Sequence, residues 1–309
     1  MKNFINLKDI PASDLRKILN DAKKRKKNRK KINTLEVDKF GPLRGKLLIQ
    51  MYEKQSSRTR LSFHIAINQL GGGSITVKAN ELHLGKGGES LVDTAKILST
   101  YGDGFLLRTD SDKKIEDFSK NLTIPIINLL SPSSHPCQVL SDVFTIEEIK
   151  KKSISKLNIC WIGDCNNVLN SLIAASVKFK FNLKIGCPEK YTPPKFVMNW
   201  VKKNKRKIYI FNDPKKAAKN ADVVFSDKVI SLNDKGNKEK KIREFKNFKV
   251  SKSIMKVTRP GSIFLHCLPR GDEVSEDVFS GKESKVWQQA LNRVHVQKSI
   301  LLYSFGKLR

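Results

Sequence analysis

The segment Ser56-Ser57-Arg58-Thr59-Arg60 gathers three hydroxyls and two guanidiniums in five consecutive residues. It follows an apolar, strand-like segment, 46–52, and opens a helix-like segment that ends at Gly71-Gly72-Gly73. A helix N-terminus offers unpaired backbone N–H groups and the positive end of the helix dipole. Hydroxyls and guanidiniums added there make a site for a phosphate. The alternative is an ordinary N-cap followed by solvated arginines, but a cap accounts for only one hydroxyl.

Further polar residues stand at the ends of predicted elements in the first half of the chain. Arg108 ends a predicted strand that begins at Gly104, and His135 and Gln138 lie three residues apart at a predicted helix start. Residues at that spacing point to the same side of a helix. A histidine donor and an amide can bind a small carbonyl or carbamoyl group. A turn histidine beside a surface glutamine is the alternative.

The second half repeats this arrangement with different side chains. Asp227 follows a predicted strand, where a carboxylate suits a cationic amine or caps a helix. The pair Asn166-Asn167 follows another strand and can hydrogen-bond an amino-acid head group. His266-Cys267 is compatible with a metal pair, a thiol nucleophile or a buried, inert cysteine. Because the chain has no Cys-x-x-Cys pair, we predict no metal site.

Strands alternate with helices along the whole chain, which predicts mainly parallel sheets covered on both faces. Ligands of such sheets gather at the carboxyl ends of the strands, where Ser56 and Arg108 stand. We predict an α/β protein of two doubly wound domains, residues 1–150 and 151–285. A C-terminal helix within residues 286–309 is expected to pack back on the first domain. Residues 1–33 are predicted to be helical, and residues 233–241 to form a lysine-rich loop.

The composition of the 309-residue chain is strongly basic, with 60 Lys+Arg against 30 Asp+Glu and a formal net charge of +30. The lysines are spread along the chain without zinc-finger or RNP-like motifs, so we predict a lysine-rich surface and no specific nucleic-acid site. No apolar run is long enough to span a membrane. Five cysteines without paired spacing, and a Met1–Asn6 segment without a signal-peptide core, predict a cytoplasmic protein.

Four motifs occur in the order seen in the carbamoyltransferases: Ser56 to Arg60, His135-Pro136-Cys137-Gln138, Asp164-Cys165-Asn166-Asn167 and His266-Cys267-Leu268-Pro269. The resemblance to this family covers nearly the whole chain, through Asn292 to Lys298. The chain is similar to the ornithine-using branch, because the aspartate-using branch has His-Pro-Leu-Pro as its last motif. The resemblance implies carbamoyl transfer from carbamoyl phosphate to the δ-amine of L-ornithine, giving L-citrulline and phosphate, as in arginine biosynthesis. It implies no cofactor, no metal and no covalent enzyme intermediate.

The same resemblance implies a role for each motif residue toward carbamoyl phosphate. The phosphate is bound by the opening motif and one strand-end arginine, namely Ser56, Ser57, Arg58, Thr59 and Arg108. The carbonyl oxygen is polarised by Arg108, His135 and Thr59. The amide nitrogen is held by Gln138 and the backbone carbonyl of Leu268, and Arg293 adds positive charge nearby.

Toward ornithine, the resemblance assigns the α-amino and α-carboxylate groups to Asn167, Asp227, Ser231 and the Leu232 backbone. Cys267 is expected beside the δ-amine, which must be neutral to attack. His83 resembles the residue that reaches the site of a neighbouring subunit, which implies a homo-oligomer, expected to be a trimer with shared sites.

The chain departs from the family pattern at three places. Ser57 stands where the family usually has Thr, Ser231-Leu232-Asn233 replaces Ser-Met-Gly, and segment 269–273 is shorter than expected. The two later changes concern the acceptor side. A carbamoyltransferase that uses putrescine or N-acetylornithine is therefore one alternative, and a basic nucleic-acid-binding protein is the other.

Overall fold

Two parallel β-sheets form the framework of the chain, which we describe from a computed structural model. The structure describes residues 1–29, 32–78, 88–230 and 236–308. These residues divide into two compact units, residues 1–141 with 292–309 and residues 142–291. The functional domains predicted at 1–150 and 151–285 stay predictions.

The first unit contains a four-stranded parallel sheet in the order β2-β1-β3-β4. Its strands are β1 (Leu47–Tyr52), β2 (Gly73–Lys78), β3 (Gly104–Arg108) and β4 (Ile126–Leu130). Its helices are α1 (Ala12–Asn28), α2 (Ser57–Gln69), α3 (Leu91–Tyr101) and α4 (Asp112–Asn121). Helix α5 (Pro136–Lys150) begins in this unit. The expected strand-helix alternation is confirmed.

The second unit contains a five-stranded parallel sheet in the order β7-β6-β5-β8-β9. Its strands are β5 (Asn158–Ile162), β6 (Asn182–Gly186), β7 (Tyr209–Phe211), β8 (Val223–Ser226) and β9 (Ile263–His266). Its helices are α6 (Asn167–Phe179), α7 (Lys195–Lys203), α8 (Pro214–Ala218), α9 (Lys238–Phe245), α10 (Lys252–Met255) and α11 (Glu276–Phe279). The last helix, α12 (Val286–Ser304), begins in this unit and ends in the first.

Apolar side chains of the strands pack against a helix in the first sheet and against a neighbouring strand in the second. In the first unit, Phe105 of β3 meets Phe118 of α4 with ring centroids 5.1 Å apart. In the second, Trp161 of β5 stacks on Phe225 of β8 with centroids 6.5 Å apart. Packed strands of this kind fix the positions of their carboxyl ends, which is where the polar motifs begin.

The C-terminal part of α12 is tied to the first unit by buried polar contacts. Lys298, fully buried, donates hydrogen bonds of 2.9 and 3.2 Å to the Asp38 carboxylate. Ser299 donates a 2.6 Å hydrogen bond to Asp21 of α1. These contacts confirm that the C-terminal helix packs on the first unit. Among the described residues, none of the helices has the length and apolar character needed to cross a membrane.

Candidate active site

The polar motif from Ser56 to Arg60 lies where the sequence predicted it, at the junction of β1 and α2. Ser56 occupies the N-cap position, but in the described structure its hydroxyl makes no cap hydrogen bond. It instead accepts a 3.0 Å hydrogen bond from the guanidinium of Arg108. Thr59, which is buried, accepts a 2.7 Å hydrogen bond from Arg293. The helix start therefore combines hydroxyls, guanidiniums and backbone N–H groups, as an oxyanion site requires.

Arg108 is aligned with β1 because β3 is the neighbouring parallel strand, with Arg108 paired to Tyr52. The residue after Tyr52, Glu53, donates its backbone N–H to the Arg108 carbonyl at 3.0 Å. The Glu53 carboxylate accepts hydrogen bonds from the Thr109 hydroxyl and the Asp110 backbone and contacts the Lys114 ammonium. Glu53 therefore anchors the segment that follows Arg108, a role that sequence reasoning missed.

His135 lies directly before Pro136, the first residue of α5, and is buried. Burial holds the pKa of His135 well below its ordinary value, and the positive charges of Arg293, Arg108 and Arg58 act in the same direction. The imidazole is therefore neutral at physiological pH and can donate one hydrogen bond. Gln138, also buried, follows one turn along α5. His135 is thus grouped electrostatically with the arginines named from the sequence.

Tyr52 is a second residue of this site that the motifs did not reveal. Its hydroxyl donates a 2.8 Å hydrogen bond to the amide oxygen of the buried Gln50. Burial raises the pKa of Tyr52, while the charges of Arg293, Arg108 and Arg60 oppose that rise. Tyr52 is therefore a neutral phenol among the guanidiniums. Its place at the carboxyl end of β1 is the only sequence signal that would have indicated it.

In the second unit, Asn166 and Asp227 meet at the ends of β5 and β8. The Asn166 side chain caps α6 by accepting hydrogen bonds from Val168 and Leu169, at 3.0 and 3.2 Å. Its amide nitrogen donates a 2.8 Å hydrogen bond to the Asp227 carboxylate. Asn167 is the first residue of α6. Within the Asn-Asn pair, Asn166 caps α6 and hydrogen-bonds Asp227, whereas Asn167 belongs to the helix itself.

Desolvation raises the pKa of the Asp227 carboxyl, whereas His266, the Lys228 backbone and Asn166 act to lower it. A cationic partner stabilises a desolvated carboxylate more strongly than a solvated carboxylate, because the charges interact more strongly at low dielectric. Asp227 is not an N-cap of a described helix, so the capping alternative is not supported. Its surroundings favour contact with an ammonium group.

His266 ends β9, and Cys267 and Leu268 follow it. Both ring nitrogens of His266 are engaged, since Nδ1 accepts from the Leu268 backbone and Nε2 lies 2.9 Å from Glu273. The metal-pair alternative is therefore not supported. Cys267 is partly exposed and forms no disulfide. Three of the residues named from the sequence, His83, Ser231 and Leu232, lie outside the described residues.

Comparison with known proteins bears directly on this arrangement. Residues 2–148 match the model "Aspartate/ornithine carbamoyltransferase, carbamoyl-P binding domain", and residues 155–304 match "Aspartate/ornithine carbamoyltransferase, Asp/Orn binding domain". The chain belongs to the aspartate/ornithine carbamoyltransferase family.

Several of its relatives within that family are ornithine carbamoyltransferases. The chain is 39% identical over 309 residues to the ornithine carbamoyltransferase of Rhizorhabdus wittichii, covering 99% of each chain. It is similar to the ornithine carbamoyltransferase structure from Pyrococcus furiosus, with a TM-score of 0.90 and 37% identity. The match covers 99% of this chain and 97% of that one. The anabolic enzyme of Campylobacter jejuni matches with a TM-score of 0.88, 33% identity and coverage of 99% and 100%.

Proposed function

We propose that this chain is an ornithine carbamoyltransferase, which transfers the carbamoyl group of carbamoyl phosphate to the δ-amine of L-ornithine. The products are L-citrulline and phosphate. The observation that carries the proposal is the cluster at the start of α2, where Ser56 contacts Arg108 and Thr59 contacts Arg293. The family match over both units and the ornithine-branch relatives support the same reaction.

The donor side follows from the charges in the first unit. Ser56, Ser57, Arg58, Thr59 and Arg108 hold the phosphate. The neutral imidazole of His135 donates a hydrogen bond to the carbonyl oxygen, together with Arg108 and Thr59. Gln138 and the Leu268 carbonyl hold the amide nitrogen. Arg293 adds positive charge to the same group, so the oxyanion of a tetrahedral intermediate is stabilised by preorganised donors.

The acceptor side is assigned to residues of the second unit. Asp227 holds the α-ammonium of ornithine, and Asn167, Ser231 and the Leu232 backbone complete the head-group contacts. Cys267 lies beside the δ-amine. The neutral amine attacks the carbonyl carbon, the tetrahedral intermediate collapses, and the C–O bond to phosphate breaks. The amine loses one proton in the process, and the phosphate leaves with the bonding electron pair.

We further propose that the enzyme is a cytoplasmic homotrimer of arginine biosynthesis. None of the five cysteines forms a disulfide, which suits a reducing compartment. Strand β2 is an edge of its sheet, and Ile75 on it is 50% exposed while Leu61 on the adjacent α2 is 57% exposed. Exposed apolar residues beside an open strand edge suit a subunit contact.

The test is an acceptor panel with carbamoyl phosphate as the donor. Ornithine, N-acetylornithine, putrescine and aspartate are supplied separately, and carbamoylated product and phosphate are measured. Ornithine should give citrulline with a kcat/KM far above those of the other three amines. Product from putrescine or N-acetylornithine but not from ornithine would refute the assigned acceptor. Sedimentation velocity of the same sample tests the trimer.

A further inference from the structure

The turn that carries Cys267 and Leu268 is organised around the ring of His266. The Leu268 backbone N–H donates a 2.8 Å hydrogen bond to Nδ1 of that ring. Because Nδ1 accepts, the proton of the neutral imidazole sits on Nε2. Nε2 lies 2.9 Å from Oε1 of Glu273 and donates to it. The side chain of His266 thus joins the start of the turn to its far end.

Glu273 closes the turn with a single oxygen atom. Its Oε1 accepts from the His266 ring and also from the Gly271 backbone N–H, at 2.6 Å. Burial acts to raise the pKa of Glu273, but these hydrogen bonds and the His266 ring outweigh burial and hold the pKa below its ordinary value. Glu273 is therefore buried and ionised, and its Oε1 accepts hydrogen bonds from both the His266 ring and the Gly271 N–H.

The ends of the turn are fixed to the rest of the second unit by separate contacts. The His266 backbone N–H donates a 2.9 Å hydrogen bond to Gln289, which in turn donates a 2.8 Å hydrogen bond to Asp142. The Glu273 carbonyl accepts a 2.8 Å hydrogen bond from Val250. The strand end and the exit of the turn are therefore held without the His266–Glu273 contact. The His266–Glu273 contact instead orders the residues between these two ends, 267–271.

Leu268 shows why such ordering is needed. Its φ is +57°, in the left-handed region that a leucine seldom adopts. A conformation of this kind persists only when surrounding contacts impose it. The hydrogen bond from its N–H to His266 is one such contact, and it depends on the ring orientation that Glu273 maintains.

We propose that His266 and Glu273 are positioning residues for the reaction, which hold the 267–271 turn so that Cys267 and Leu268 meet the substrates. The proposal rests on the proposed function, which assigns Cys267 to the amine and the Leu268 carbonyl to the carbamoyl nitrogen. Neither His266 nor Glu273 touches a reacting atom in it. Their role is geometric, and therefore depends on the hydrogen-bond acceptor at residue 273 and not on its charge.

The experiment compares Glu273→Ala with Glu273→Gln. An amide oxygen can replace Oε1 for both donors, whereas alanine removes both hydrogen bonds. Glu276→Gln is the matched control, because Glu276 pairs with Arg270 of the same turn but its side chain is 68% exposed. KM for ornithine, KM for carbamoyl phosphate and kcat are measured for each variant. The alkylation rate of Cys267 by iodoacetamide, followed by peptide mass spectrometry, reports the turn without requiring activity.

We expect Glu273→Ala to raise KM for ornithine at least about thirtyfold and to change the Cys267 alkylation rate, since two bonds to a charged acceptor are lost. Glu273→Gln should raise the same KM by no more than about fivefold, since neutral hydrogen bonds are somewhat weaker. Glu276→Gln should match the wild type. If Glu273→Ala does not fold, Glu273→Asp replaces it, because the shorter side chain withdraws the same oxygen.

Two results would overturn the positioning role. The first is that Glu273→Ala, or Glu273→Asp in its place, has the same KM for ornithine and the same Cys267 alkylation rate as the control variant Glu276→Gln. The other is an equal loss in Glu273→Ala and Glu273→Gln, which would make charge the decisive property. A wild-type protein that forms no citrulline would refute the proposed function instead. The alkylation comparison would then still decide whether Glu273 orders the turn.

Discussion

Arg293 of α12 donates a 2.7 Å hydrogen bond to the hydroxyl of Thr59 on α2, although 234 positions separate the two residues in the chain. Both side chains are buried. Because the hydroxyl oxygen accepts from Arg293, its proton is directed away from the guanidinium and can be donated elsewhere. Thr59 can therefore act as a donor to the carbonyl oxygen of carbamoyl phosphate while Arg293 fixes its orientation.

Substituting Thr59 tests this arrangement. Thr59→Val keeps the shape but removes the hydroxyl, and we expect kcat to fall about a hundredfold, the usual cost of losing one oxyanion donor. Thr59→Ser retains the hydroxyl and should stay close to the wild type. Steady-state kinetics with varied carbamoyl phosphate measure both. Equal losses in the two variants would show that the methyl group, and not the hydroxyl, is required.

The low pKa of His135 has a consequence for stability that can be measured without substrate. As the pH falls through about 6.5, an unfolded chain protonates this histidine while the folded protein keeps it neutral. The unfolded state then binds more protons, so the free energy of unfolding decreases by up to about 1.4 kcal/mol per pH unit.

His135→Asn should remove that one-proton contribution. Urea unfolding of the wild type and the variant between about pH 5.5 and about pH 7.5, one unit either side of the ordinary histidine pKa, gives the two slopes. The wild type should lose stability faster toward acid pH. Parallel slopes would indicate that His135 is protonated in the folded protein, which contradicts its role as a neutral donor.

Cys267 is expected to contribute more to the binding of ornithine than to the binding of carbamoyl phosphate. Cys267→Ser should raise KM for ornithine about tenfold, since a thiol contact beside the amine is replaced by a shorter, more polar group. KM for carbamoyl phosphate should change much less. Cys165→Ser, at another partly exposed thiol, is the control and should leave both values unchanged. An equal rise in both KM values would count against the assignment of Cys267.

Shared sites predict complementation between two inactive proteins. Arg58→Ala should abolish turnover with the thermal transition intact, because Arg58 is exposed and is proposed to bind the phosphate. His83→Ala should be impaired through the neighbouring subunit. Trimers reassembled from equal amounts of both would contain intact sites at about one position in four, so about a quarter of the activity should return. No recovery would mean that His83 acts within its own chain.

The sequence predicted local features well because strand ends and helix starts depend on short patterns. The position of Ser56 to Arg60 between β1 and α2, and of Arg108 at the end of β3, is confirmed. The contacts that organise these residues join distant segments, and no local pattern encodes them. Glu53 with Thr109 and Arg293 with Thr59 are such contacts.

Some element boundaries were wrong for identifiable reasons. Residues 1–33 were predicted as one helical region, but α1 begins only at Ala12, after Pro11, which fits the start of a helix and not its interior. Residues 233–241 were predicted as a loop, but α9 begins at Lys238, capped by Asn237. Lys241 is held there by a 2.9 Å ion pair with Asp164, a tertiary contact that composition does not reveal.

The division of the chain has a consequence for the order in which the protein can be completed on the ribosome. The second unit is one continuous segment, Asp142–Leu291, and all of it has been synthesised before residue 292 is added. The first unit also needs residues that are synthesised after the second unit, because Lys298 fills a buried position against Asp38, 260 residues earlier. A nascent chain can pair Asp38 with Arg25 and Arg29 early, but the buried Lys298–Asp38 contact has to wait until residue 298 has been synthesised, after the whole second unit.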